Sequence, residues 1–395
     1  MSVEAIPESY EGREQAYIKH ILLGGYLRRL FVIVGNSLAR FGLDRLCYVD
    51  CFAGPWQDKS ETLDSTSVRV AIDAIAETRE ELEKVNKQIR YCALFIERDA
   101  KSFARLEKYT STLPATGIEA DAKRGDFTAL RQEILRWCGS KSFAFFFVDP
   151  TGWVDIGVSN LAPLLGRPNT EILINFMYDF VNRTVPQAEF HRQVTELLGT
   201  VPNCTGLSAR ERELLIIETY SAALRAAIAK TQGEAFVGWA PVLDPNRNRT
   251  KYHLVYATTH PLGLVEFKTE AEKAMKRQVV VRANVKQTRR VQVTGQSEMF
   301  DASEMTMGPD ESDQRICANE AFWLRELAHG PKRFDLKAFA RILEAPNRYP
   351  SELQQALIRL EERGLVRNLD AKRKRPVNLL NFRVGETLAL EDTKS

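Results

Sequence analysis

The sequence predicts an α/β protein: a parallel sheet finished by an antiparallel hairpin, with a small, mainly helical domain after it. Three observations lead there. Short apolar runs rich in β-branched and aromatic residues alternate with stretches of helical periodicity: "RLCYVDCF" (45–52), "YCALFIE" (91–97), "SFAFFFVDP" (142–150) and "EILINFM" (171–177). Runs this continuously apolar suit strands covered on both faces. Two later runs, "AFVGWAPVL" (235–243) and "KYHLVYATT" (251–259), flank the turn-forming "DPNRNR" and predict a hairpin. Finally, "EAFWLRELAHG", "DLKAFARILEA" and "SELQQALIRLEERGLV" predict three short amphipathic helices near the C-terminus.

Taken in order, residues 14–40 come first, with Tyr17, Ile21, Leu22, Tyr26, Leu30 and Val34 on one helical face. Helical stretches at 67–88 and 127–138 then separate the strands, and residues 183–232 read as a helical insert. The first domain therefore spans 1–280. Residues 281–317 lack a sustained period and are expected to be a linker. The second domain covers 318–395, where three helices and the hairpin-like 366–384 suggest a winged helix-turn-helix.

Composition narrows the class. With 395 residues, 44% apolar and 27% charged, the chain suits a globular protein of two domains. No apolar run is expected to cross a bilayer and the N-terminus is polar, so the expected location is cytoplasmic. The six cysteines are scattered without CxxC spacing, which argues against structural zinc and a disulfide framework. A formal charge of +3 points to local basic clusters rather than a uniformly basic binder.

A parallel sheet ending in a hairpin is the outline of the fold of S-adenosyl-L-methionine (SAM)-dependent methyltransferases. Nicotinamide-binding dinucleotide folds usually end in another parallel strand. Ligands of open α/β sheets bind beyond the carboxyl ends of the strands, and acids stand at four such ends. Asp50 leads into Phe52, Ala53, Gly54 and Pro55, where glycine permits close approach of the backbone to a ligand. Glu97 in "FIERD" has the position of an acid that accepts ribose hydroxyls. Asp126 and Phe127 offer an acceptor for an adenine amino group and a ring face, although Asp126 is also a good helix N-cap. In "FVDPTGW", Asp149, Pro150 and Trp153 stand where enzymes that methylate an exocyclic base nitrogen often carry Asp-Pro-Pro-aromatic. Trp153 is equally readable as a core or lid residue. The turn has no GxGxxG, which fits a ligand without a pyrophosphate.

For nucleic acid, the expected wing tip carries Lys372, Arg373, Lys374 and Arg375, suited to phosphate contacts. Arg348, Gln354 and Arg359 are expected on the polar side of the recognition helix. A solvated charge run on a protein-docking domain is the plainer alternative.

With these residues in view, the sequence resembles the three-Cys-motif partner family (TcmP) of bacterial proteins. The similar features are the helix with Lys19 and Tyr26, "YVDCFAGP", "FIERD", "FVDPTGW", "EILINFM" and "ATTHPLG", spread over roughly 15–275. The resemblance implies a methyltransferase-like fold and a partner protein with a three-cysteine motif of radical-SAM or iron–sulfur type. Trp56 stands where a second glycine is common, and Thr151 where an aromatic is frequent. The expected function is a SAM-dependent methyltransferase acting on DNA or RNA. The alternative is a non-catalytic adaptor with a degenerate Rossmann-like domain.

Overall fold

The computed structural model describes residues 6–54, 60, 63–294, 309–373 and 375–391. Pro55, Trp56 and Lys374, singled out above, lie outside the described residues. Two compact units are present, Met1–Thr259 and His260–Ser395.

The first unit is built on a seven-stranded sheet of order β3-β2-β1-β4-β5-β7-β6. Its strands are β1 (Arg45–Asp50), β2 (Arg90–Glu97), β3 (Ile118–Arg124), β4 (Ser142–Val148), β5 (Thr170–Phe176), β6 (Phe236–Leu243) and β7 (Thr250–Thr258). The first five pair in parallel, whereas β7 is antiparallel to both β5 and β6. This mixed, mostly parallel α/β sheet is consistent with a Rossmann-like methyltransferase fold. The helices are α1 (Glu14–Ser37), α2 (Ser67–Glu83), α3 (Ala100–Thr110), α4 (Phe127–Cys138), α5 (Val158–Leu165), α6 (Tyr178–Thr184), α7 (His191–Leu198) and α8 (Ala209–Gln232).

The period-2 alternation of a strand assigns its side chains to opposite layers. Cys47, Val49, Cys92, Leu94, Ala144 and Phe146 point into a core shared with α4, α5, α7 and α8. Tyr48 and Phe145 point the other way and stack, with ring centroids 6.2 Å apart. Tyr26 of α1 packs on that face and donates to Glu171 Oε2 at 2.6 Å, while Thr258 Oγ1 donates to Glu171 Oε1 at 3.0 Å. The segment Glu14–Phe41 is long and apolar enough to span a membrane, contrary to the expectation from sequence. Half of its apolar window is buried within the fold, because α1 is apolar to cover a sheet face.

β3 reads as polar because it is an edge strand. Its burial alternates, whereas β4 is buried along its whole length.

The second unit contains α9 (Pro261–Thr294), α10 (Pro309–Leu327), α11 (Leu336–Leu343) and α12 (Pro350–Glu362). Short strands β8 (Lys332–Phe334), β9 (Val366–Asn368) and β10 (Glu386–Leu390) form an antiparallel sheet of order β8-β10-β9. Trp323 anchors the unit, donating from Nε1 to Leu353 O at 3.0 Å. Phe339 stacks on Phe382 with centroids 4.2 Å apart. Helix α9 runs through the boundary expected at residue 280 and into the stretch expected to be linker. Around residue 280 its buried positions, Gln278, Val281 and Ala283, include a polar residue, and 284–290 are not buried, so the helical period is hidden from a reading of hydrophobicity.

Candidate cofactor cleft

At the end of β1 the chain turns between its two neighbours. Cys51 N donates to Phe147 O of β4 at 2.9 Å, and Ala53 N to Ile96 O of β2 at 2.8 Å. Asp50 holds this turn together. Its Oδ1 accepts from Phe52 N at 3.1 Å, and its Oδ2 from Ser67 Oγ, at the start of α2, at 2.6 Å. The residue is wholly buried, and burial pushes its carboxyl up to about 6. Asp50 therefore organises the turn and is absent from the lining of the cleft beside it, unlike the contact expected from sequence. Ala53 is also buried, and Gly54 is absent from the lining of the cleft beside it.

That cleft has a volume of about 430 Å³ including its open mouth. Phe52, Glu97, Arg98, Gly125, Asp126, Phe127, Asp149, Thr151 and Asp155 line it together with Cys51 and Ile96. Glu97 is only 2% exposed, and its Oε1 accepts from Asp99 N. Burial raises its carboxyl above the usual range, although neighbouring backbone N–H groups pull the other way. Asp126 is both cap and cleft residue. Its Oδ1 accepts from Thr128 N at 2.8 Å and from the Thr128 hydroxyl, which together hold the carboxyl below its ordinary value. Gly125 precedes it with a φ of +159°, and a Cβ there would meet Leu130 Cδ1 at 2.8 Å. A side chain at this position would therefore collide with Leu130 of α4.

Phe127 departs from expectation. It is 1% exposed, belongs to the core, and packs on Phe52 with centroids 5.5 Å apart. Only its margin lines the cleft, so Phe52 carries most of the available aromatic surface. Trp153 is likewise a core residue, 9% exposed among the apolar side chains under α5, and does not line the cleft. Pro150 is buried. The stacking role considered for Trp153 is therefore not the one its packing provides.

Asp149 lies at the end of β4 between two partners. Lys19 of α1 donates to its Oδ2, and Asn175 of β5 donates from Nδ2 to its Oδ1 at 2.6 Å. Sequence reasoning gave Asn175 no role, although a polar residue inside the apolar run "EILINFM" was a legible signal. Arg98 and Asp155 were also missed. Asp155 is raised by burial and by neighbouring Asp126, yet nothing in its sequence neighbourhood distinguishes it from a loop acid.

In the second unit the expected nucleic-acid residues divide. Lys372 and Arg373 are exposed. Arg375 is not free at a tip, because it grips Glu386 with two hydrogen bonds of 2.8 and 2.7 Å. Gln354 is 3% exposed and bonds Leu380 through both its amide atoms, so it is a structural brace rather than a reader of bases. Arg359 pairs with Asp313 at 3.0 Å, and Arg348 lies 3.9 Å from the Phe322 ring centroid. Among the described residues no His, Cys, Asp or Glu cluster is arranged to hold a metal.

The strand order and a polar cleft at the strand ends define a Rossmann-like α/β protein. No family model matches the chain, and no curated protein matches its sequence. Among solved structures it is similar to a Legionella pneumophila protein of the family model DUF519, with 10% identity, a TM-score of 0.36, and coverage of 67% of this chain and 92% of that one. EvdMO1 matches at 12% identity and a TM-score of 0.29, over 70% of this chain and 52% of that one. Loganic acid methyltransferase with SAH matches at 11% identity and a TM-score of 0.26, over 73% and 92%. Likenesses this loose carry no argument.

Proposed function

We propose that the protein is a SAM-dependent methyltransferase acting on nucleic acid. One observation carries the reading: the acid that ends β2 and the acids that follow β3 and β4 meet in a single cleft at the carboxyl edge of a parallel sheet that ends in a hairpin. Its lining, with the carboxylates of Glu97, Asp126, Asp149 and Asp155 beside the Phe52 ring, suits a nucleoside bearing a cationic amino-acid tail. Glu97 would accept the ribose hydroxyls, Asp126 the adenine amino group, and Phe52 would pack against the base. When bound, SAM supplies an electrophilic methyl group on a sulfonium. Asp149 would orient an acceptor nitrogen by taking one of its N–H bonds as a hydrogen bond. As the acceptor nitrogen takes that methyl group, Asp149 would accept the proton it loses and pass it to water. Such transfer depends on positioning and water exclusion more than on acid–base strength.

The nucleic-acid part of the reading is supported by the second unit. Three helices followed by β9 and β10, with β8 on the far side of β10, suit a winged helix, and Lys372 and Arg373 are exposed between β9 and β10. The resemblance noted from sequence adds a partner protein with a three-cysteine motif. Calorimetric titration with S-adenosylhomocysteine (SAH) tests the cofactor assignment. Micromolar binding that Glu97→Ala weakens at least tenfold is expected; a folded protein that binds no SAH would return the reading to a non-catalytic adaptor.

A further inference from the structure

Among the described residues of the cleft, Asp149 is the acid whose two oxygens are engaged by side chains from two different elements. Lys19 reaches it from α1, 130 positions away in sequence, and Asn175 from β5. The Lys19 and Asp149 side chains are 12% and 19% exposed, so this ion pair is largely out of water. The amide direction of Asn175 is chemically fixed, because only its NH2 can face a carboxylate. Asn175 Oδ1 is left buried without a partner among the described residues. An orphaned buried acceptor is costly, so the cluster is not arranged for stability alone.

Electrostatics gives the arrangement a purpose. A lone carboxylate beside a sulfonium would stabilise the cofactor before transfer, when its charge is largest. That attraction fades as the methyl group leaves and sulfur becomes neutral, so it would raise the barrier. An ammonium on the same carboxylate cancels the field while leaving lone pairs for an acceptor N–H. We infer that Lys19 is a positioning residue of the transfer site, holding Asp149 in orientation and balancing its charge so that the carboxylate aligns the acceptor without trapping the cationic cofactor. The inference rests on the methyltransferase reading above.

The test compares SAM, which carries the sulfonium, with SAH, which does not, by calorimetry on the full chain. Lys19→Met is expected to raise the ratio of SAM to SAH affinity by about tenfold, the order expected for one unit charge a few ångströms away with water-like screening. Lys19→Arg should restore the wild-type ratio. Asp149→Asn, which leaves the ammonium uncompensated, should shift the ratio toward SAH and decides the matter if the methionine variant fails to fold. An unchanged ratio in the folded variants would overturn the role of Lys19 while leaving the methyltransferase reading intact. Failure of the wild type to bind either ligand overturns both. Because SAH binding to wild type is scored separately, the two failures are distinguishable.

Discussion

At the end of β1, Asp50 is a carboxyl group wholly removed from water, and burial lifts it from 3.8 to about 6, against the pull of the Ser67 hydroxyl and Phe52 N–H. For an acid raised by folding, the native state favours the protonated form. The associated stability is present below the unfolded value and is lost as pH rises through about 6. The loss between pH 4 and 7 is about 3 kcal/mol at most, from roughly two units at ~1.4 kcal/mol each. Asp50→Asn keeps a side-chain oxygen for Phe52 N and carries no charge, so its urea midpoint should stay flat over that window while the wild type declines. Parallel curves would mean that the carboxyl is solvated. Asp50 also shows what the sequence could and could not tell. Four strand-end acids were legible as a set, and three of them line the cleft. Asp50 does not, because it follows Tyr48 onto the α2 side of the pleat, where Ser67 meets it. Trp153 failed for a similar reason: a tryptophan near a site and one under a helix look alike in one dimension.

Helix α4 joins local stability to the cleft, since its N-cap is a cleft residue. Asp126 satisfies the otherwise unpaired N–H groups of Thr128 and Ala129. Asp126→Ala should cost about 1 kcal/mol, the usual worth of an N-cap, and weaken SAH binding as well. Asp126→Asn should recover the stability, because asparagine caps as well as aspartate does. Full stability in the alanine variant by chemical denaturation would show that α4 does not depend on this cap. Elements of this kind were easy to read: the predicted 127–138 matches α4, and the apolar strands fall within two residues of their expected ends. Legibility stopped where burial and polarity part company. The edge strand β3 exposes alternate residues, and α9 buries a glutamine, so neither announces itself by hydrophobic pattern. Lys19 and Asn175 come from elements far apart in sequence, and only the packing of α1 against the sheet brings them to Asp149.

At the scale of the whole molecule, two compact units offer two separable properties. The second unit carries its own acid-sensitive clasp. Burial alone would raise Glu386, but Arg375, the Asn381 N–H and Asn368 hold it down to about 2. An acid depressed in this way contributes stability above its unfolded value of 4.5, and that contribution is lost as pH falls toward 2. Arg375→Met should therefore lower stability at neutral pH and flatten its dependence on acid, as followed by circular dichroism. Arg375 is thus committed to the fold, which leaves Lys372 and Arg373 as the exposed cations described between β9 and β10. Each phosphate neutralised on duplex DNA contributes about 0.9 to the slope of log affinity against log salt. Lys372→Ala with Arg373→Ala should weaken binding to a fluorescein-labelled 24-mer duplex and reduce that slope by roughly 2. SAH affinity should be unchanged, because neither residue belongs to the cleft. A duplex affinity and slope that survive the double substitution would remove the β9–β10 loop as a nucleic-acid contact. The basic loop would then be a solvated surface, and the search for a macromolecular partner would turn to proteins.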